Sequence, residues 1–180
     1  MIDEILEYNK KFVQNKEYER HITSKYPNKK IAVVSCMDTR LTELLPAALG
    51  LKNGDAKLIK NAGGVISHPF GSVMRSLLIG IYELDVQEIL VIGHTDCGAR
   101  CTDGHKIMEK MMARGITQES IEEVERHGID FDLWLGGFTD LNRSVQNSVE
   151  QIRNHPLVPK EVMVYGLIID STTGELTKVV

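Results

Sequence analysis

Four short apolar runs, rich in β-branched residues, are separated by longer segments with helical periodicity. The runs are IAVVS (31–35), AKLIKNAGG (56–64), EILVIGH (88–94) and EVMVYGLIID (161–170). Strands that are apolar along most of their length are buried on both faces, which is typical of parallel strands joined by helices. The alternation therefore predicts an α/β fold with a mostly parallel four-stranded sheet and helices on both faces.

The two ends of the chain add one element each to this prediction. A last run, LTKVV (176–180), follows the turn STTGE (171–175) and predicts a short antiparallel fifth strand at the sheet edge. Apolar residues at helical spacing over 2–21 predict an amphipathic N-terminal helix. We expect a single domain of residues 1–180, with an N-terminal helical arm (1–28) and an α/β core (29–180), because this length suffices for one buried core.

The segments between the runs carry helix start and stop signals. Segment 69–84 predicts a helix with its proline in the first turn. Thr117 can cap a helix that Gly128 ends, and Thr139 or Asp140 can cap the next one. Such helices are the crossover connections that parallel strands require.

The charge balance bears on possible partners and on location. The chain has 21 Lys and Arg against 25 Asp and Glu, which gives a net charge of −4, and this offers no basic surface for nucleic acid or an anionic membrane. No apolar run approaches the roughly 18 residues of a membrane span. The charged start MIDEILEYNKKF lacks the apolar core of a secretion signal. The sequence therefore predicts a cytoplasmic protein without nucleic-acid or membrane partners.

Residues able to bind a metal follow two of the predicted strands. Cys36 comes directly after the first run, His94 ends the third, and Cys97 lies three residues further on. If these two strands are neighbours, their carboxyl ends lie about 5 Å apart at one edge of the sheet. Two thiolates and one imidazole suit tetrahedral zinc, and three protein ligands leave the fourth position open, as in catalytic sites.

Two other interpretations of these residues stay open. Each of the three could simply be a buried core residue. Alternatively, Cys101 lies four residues after Cys97 and His105 four after that, so all three could share one helix face. A closed zinc site of Cys36, His94, Cys97 and Cys101 would make the protein a structural or sensing module without catalysis.

Asp38 and Arg40 lie on the segment that leaves the first strand. In an extended conformation their side chains share one side with Cys36. A carboxylate beside a metal can orient a water molecule, and an arginine fork can hold that carboxylate in place. The alternative is a surface ion pair of little energetic value.

Three motifs, CMDTR, NAGG and HTDCG, resemble those of the β-class carbonic anhydrases, whose signatures are C-x-D-x-R and H-x-x-C. The resemblance is strong over roughly residues 28–100, and the short chain is similar to the compact prokaryotic branch. It implies one Zn2+ per chain, a catalytic dyad and a substrate-pocket edge. The implied zinc ligands are Cys36, His94 and Cys97, the dyad is Asp38 and Arg40, and the pocket edge is Asn61, Ala62 and Gly63.

The resemblance also implies an activity and an assembly. The activity is reversible hydration of carbon dioxide to bicarbonate and a proton. Hydrolysis of carbonyl sulfide or carbon disulfide on the same site is the alternative, since relatives in this family catalyse it. The assembly is a homodimer or a multiple of dimers, with the N-terminal arm packed on the partner subunit.

Overall fold

Five strands form one sheet in the computed structural model, which describes residues 1–180. They are β1 (Ile31–Cys36), β2 (Ala56–Asn61), β3 (Glu88–His94), β4 (Met163–Ile169) and β5 (Leu176–Lys178). Their order is β2-β1-β3-β4-β5; the first four are parallel, and β5 pairs antiparallel with β4 at one edge. The predicted α/β architecture is confirmed.

Seven helices connect or flank these strands. They are α1 (Ile2–Gln14), α2 (Leu41–Ala48), α3 (Ser72–Leu84), α4 (Gly104–Ala113), α5 (Gln118–Arg126), α6 (Phe131–Leu135) and α7 (Leu141–Arg153). Two predicted caps are confirmed, since the side chains of Thr117 and Asp140 accept hydrogen bonds from backbone amides in the first turns of α5 and α7. None of the seven combines the length and the apolar character needed to span a bilayer.

Helices cover both faces of the sheet, as predicted. Successive residues of a strand point to opposite faces, so Val34 belongs to one apolar cluster and Val33 to the other. The larger cluster packs α3 and α7 against the sheet, and the smaller one packs α2 against it. The helical contributions are Met74, Leu77, Val145, Val149 and Ile152 on the first face, and Leu41 and Leu45 on the second.

Two predicted helix boundaries are wrong. The N-terminal helix ends at Gln14 instead of continuing to residue 21, because Lys16 adopts a left-handed conformation (φ 56°) that no α-helix can contain. A short 3-10 turn, Glu17–His21, follows it. The proline of segment 69–84 lies outside the helix, since α3 begins at Ser72.

The glycine pair of NAGG leaves the sheet and does not extend β2. Ala62–Gly64 form a 3-10 turn in which Gly63 and Gly64 have φ values of 82° and 65°. A Cβ atom on Gly64 would lie 2.8 Å from the backbone nitrogen of Cys36. Only glycine therefore permits this turn to cross the end of β1, where the candidate site lies.

Candidate metal centre

The carboxyl ends of β1 and β3 meet at one edge of the sheet. The two strands are parallel neighbours, with Ser35 paired to Ile92. This register brings together the side chains of Cys36, His94 and Cys97, all of which are buried. Their sulfur and nitrogen ligand atoms lie within 4.8 Å of one another. One metal ion could therefore contact all three.

The imidazole of His94 is oriented for metal binding. Its Nδ1 lies 2.8 Å from the backbone oxygen of Thr95. A carbonyl oxygen can only accept, so Nδ1 carries the ring hydrogen and donates a hydrogen bond to that oxygen. The other ring nitrogen, Nε2, then presents a lone pair, and it is buried without a hydrogen-bond partner. A buried acceptor without a partner is costly, and a metal ion at this point would satisfy it.

The two thiols have the spacing that zinc requires. Two sulfurs that are each about 2.3 Å from one tetrahedral zinc lie about 3.8 Å apart, and the Sγ atoms of Cys36 and Cys97 are 3.8 Å apart. Burial, together with the neighbouring Cys36 thiol, raises the pKa of Cys97 to about 11. A bound divalent cation reverses this effect, because a coordinating thiol is deprotonated. The donor set and its geometry fit zinc.

A charged pair lies beside these three residues. Arg40 donates from Nε to Oδ1 of Asp38 (3.0 Å) and from Nη2 to Oδ2 (2.8 Å), and its backbone N–H also bonds Oδ1. These hydrogen bonds hold the pKa of Asp38 far below its usual range. Oδ2 of Asp38 is 3.9 Å from Nε2 of His94. An ionised carboxylate is thus fixed next to the imidazole lone pair.

Two further residues hold this site together, and neither was predicted from the sequence to be part of it. Asp96 accepts a second set of hydrogen bonds from Arg40. Lys60 donates from Nζ to the backbone oxygens of Cys36 and Leu41, each at 3.3 Å, and so ties the two ends of the segment that carries Asp38. In the sequence, only the acidic character of Asp96 within HTDCG indicated that it could pair with a cation, and nothing pointed to Lys60.

The three residues of the expected pocket edge line a cavity of about 760 Å3. The backbone oxygen of Asn61 accepts a hydrogen bond from the backbone N–H of Met37 (2.8 Å), and this bond joins the end of β2 to the segment after β1. The side-chain Nδ2 of Asn61 donates to the backbone oxygen of Val65 (2.6 Å), and its Oδ1 accepts from the backbone N–H of Val65 (3.1 Å). These two bonds close the glycine turn. Ala62 and Gly63 line the same cavity, whereas Cys36, Asp38, His94 and Cys97 are not among its lining residues.

Cys101 does not join the cluster. The sequence allowed Cys97, Cys101 and His105 to share one helix face, and the structure shows that this prediction is wrong. A 3-10 turn, Gly98–Cys101, follows Cys97, and α4 begins only at Gly104. Cys101 ends this turn with an exposed side chain.

We therefore expect Cys101→Ala to keep the zinc content and most of the activity of the parent. The reason is that an exposed thiol outside the cluster contributes neither a ligand nor buried packing. Metal analysis of the purified variant, together with a rate measurement, checks this. Loss of zinc in the variant would instead support the closed four-ligand site.

The fold and the site together define an α/β protein with a Cys-His-Cys centre where parallel strands end. A family model described as carbonic anhydrase matches residues 31–176. The chain belongs to the β-carbonic anhydrase family of enzymes.

Relatives of known sequence or structure span nearly the whole chain. "Putative carbonic anhydrase YtiB" of Bacillus subtilis (strain 168) is 51% identical over 180 residues, which cover 100% of this chain and 96% of that protein. The crystal structure of β-carbonic anhydrase isoform I of Trichomonas vaginalis superposes with a TM-score of 0.91 at 35% identity, covering 100% of this chain and 97% of that one. A carbon disulfide hydrolase of Acidithiobacillus thiooxidans is 31% identical over 157 residues, covering 83% of this chain and 76% of that protein.

Proposed function

We propose that this protein binds one zinc ion through Cys36, His94 and Cys97 and hydrates carbon dioxide reversibly to bicarbonate and a proton. The observation that carries the proposal is the buried three-ligand cluster, with its bare imidazole nitrogen and the carboxylate of Asp38 3.9 Å away. A three-ligand set leaves room for the fourth position that catalysis needs. Family membership supports the same reaction.

Each part of the site has a role in this proposal. Zinc, when bound, would supply the Lewis acidity that lowers the pKa of a water molecule and so makes it a nucleophile. Asp38 is ionised, and its carboxylate would accept a hydrogen bond from that nucleophile and so orient the lone pair of the nucleophile towards the carbon of CO2. Arg40 keeps the carboxylate in place through two parallel hydrogen bonds. Asn61, Ala62 and Gly63 would form one edge of the substrate pocket, a role that rests on their match to the family motif.

The direct test is stopped-flow CO2 hydration on protein whose zinc content has been measured. We expect a rate proportional to the zinc-loaded fraction, and loss of the rate after chelation with recovery on adding zinc. A fully zinc-loaded protein with no rate above that of the buffer would contradict the proposal.

Hydrolysis of carbon disulfide is the second candidate, because one relative with 31% identity is a carbon disulfide hydrolase. Carbonyl sulfide is a related possible substrate. The same zinc-loaded sample can be given either compound, with release of hydrogen sulfide as the measurement. Sulfide release without CO2 hydration would favour this candidate over the first.

We also propose that the protein is a homodimer or a multiple of dimers. Helix α1 has no buried residue, although it carries an apolar stripe. The exposed fractions of Ile2, Ile5 and Leu6 are 62%, 56% and 53%. An apolar face of this kind on an extended helix is typical of a protein–protein contact.

Deleting residues 1–25 is expected to weaken this association, since it removes the apolar stripe of α1. Ile5→Glu, which places a charge in the stripe, should have a similar effect, whereas Lys11→Glu on the opposite face of the helix should leave the assembly intact. Light scattering over a concentration series measures the mass. A well-behaved monomer for the intact chain would refute the proposed dimer.

A further inference from the structure

The guanidinium of Arg40 is held on two edges by two different loops. Asp38, on the segment after β1, takes Nε and one hydrogen of Nη2. Asp96, in the turn after β3, takes Nη1 through its Oδ2 (2.8 Å) and the other hydrogen of Nη2 through its backbone oxygen (2.8 Å). One arginine therefore links the segment that follows Cys36 at the end of β1 to the turn between His94, at the end of β3, and Cys97.

Asp96 occupies a special place in this arrangement. It lies between His94 and Cys97 and has a left-handed backbone (φ 52°), which aspartate, asparagine and glycine tolerate better than other residues. Its side chain is 85% exposed, so an isolated ion pair there would contribute little. The ion pair of Asp96 differs from an isolated one because its partner is Arg40, whose guanidinium also makes two hydrogen bonds to Asp38.

We propose that Asp96 is a positioning residue, whose carboxylate immobilises Arg40 so that Asp38 is held at a fixed distance from His94 and Cys97. Its kinetic consequence rests on the function proposed above. Without the Asp96 carboxylate, Arg40 and Asp38 stay paired but can move together relative to the turn after β3. With the Asp96 carboxylate in place, the Asp38–Arg40 pair, the segment after β1 and the turn after β3 are held together as one unit.

Two substitutions at this position separate charge from backbone conformation. Asp96→Asn keeps the size and the tolerance for positive φ but removes the charge, and Asp96→Gly removes the side chain while suiting the same backbone. The backbone oxygen that bonds Arg40 remains in both. Asp85 offers matched controls, Asp85→Asn and Asp85→Gly, because it also has a left-handed backbone (φ 57°) and an exposed ion pair, to Lys30 at 2.7 Å.

The first readout is nitrogen-15 NMR of the arginine side chains in the zinc-loaded full chain, with the Arg40 signal identified by its loss in Arg40→Lys. A guanidinium bonded on both edges rotates slowly about its Cζ–Nη bonds. We expect both Asp96 variants to speed that rotation and both Asp85 variants to leave it unchanged.

The second readout is kinetic. Small misplacements of a catalytic group lower rates by up to about 100-fold, so we expect Asp96→Gly to lower kcat by about 10-fold with little change in KM, since substrate binding is not altered. Asp96→Asn should fall between the parent and Asp96→Gly, and zinc content should stay at the parental value in all variants.

The outcomes decide the proposal without ambiguity. Parental Arg40 rotation in both Asp96 variants would reduce Asp96 to a surface ion pair, and an equal kcat loss in the Asp85 variants would show a nonspecific effect; either result overturns the proposal. If the parent itself hydrates no CO2, the proposed function fails, but the NMR readout still tells whether Asp96 immobilises Arg40.

Discussion

Cys36→Ser, His94→Ala and Cys97→Ser are each expected to abolish zinc binding at stoichiometric metal and, with it, CO2 hydration. Altering a residue that only supports a ligand already costs about 10–100-fold in metal affinity, so removing a ligand should cost at least about 100-fold. The three proposed ligand atoms come from the end of β1, the end of β3 and the turn after β3, and they lie within 4.8 Å of one another. The two remaining protein donors would therefore hold zinc too weakly for stoichiometric binding.

Metal analysis after dialysis, together with stopped-flow rates, measures both effects on the same samples. Cys101→Ala is the matched control, because it removes a cysteine outside the cluster. Circular dichroism should show parental helix content in each variant, which separates loss of metal from loss of fold. If all three ligand variants retained full zinc, the proposed site would be wrong.

Arg40→Ala is expected to give a protein that binds zinc normally but hydrates CO2 at a small fraction of the parental rate. Arg40 lowers the pKa of Asp38 by hydrogen bonding and by its charge, yet a carboxylate without such a partner, with a pKa of about 3.9, is still ionised at neutral pH. The expected loss of rate in Arg40→Ala is therefore not caused by a loss of the negative charge on Asp38. Asp38, released from the fork, is free to ligate the metal itself and occupy the position that catalysis needs.

Zinc-edge X-ray absorption tests this explanation directly, since it should show a carboxylate oxygen together with two sulfurs and one nitrogen in Arg40→Ala. Arg40→Lys keeps the positive charge without the planar fork, and we expect it to recover only part of the rate. Arg100→Ala is the control, because Arg100 bonds the backbone of Thr139 and makes no contact with Asp38.

The parental rate should rise from neutral towards alkaline pH. Two thiolates would offset the charge of a bound Zn2+, so a water molecule on it would be less acidic than the pKa of about 7 reached with three neutral histidines. Asp38 does not contribute to this rise, because its pKa lies far below the range of the assay. Parental rates for Arg40→Ala across the same range would show that Arg40 is only an ion-pair partner.

Much of this protein follows from local sequence. Alternating strands and helical segments leave few alternatives to a parallel sheet covered on both faces, because continuously apolar strands such as β1 and β3 must be buried on both sides. The carboxyl ends of such strands then bring Cys36 and His94 to one edge. The ligand types alone, two thiols and one imidazole, already favour zinc.

What the sequence alone left open depends on contacts between distant segments. The order of the strands, with β1 beside β3, brings the ligands into reach of one metal. The exclusion of Cys101 depends on a 3-10 turn where helical spacing was also possible. The bond from Asp96 to Arg40 joins residues 56 positions apart, and no local pattern specifies such a pair. Secondary structure and ligand chemistry are properties of neighbouring residues, whereas the partners of a side chain are decided by the packing of the whole chain.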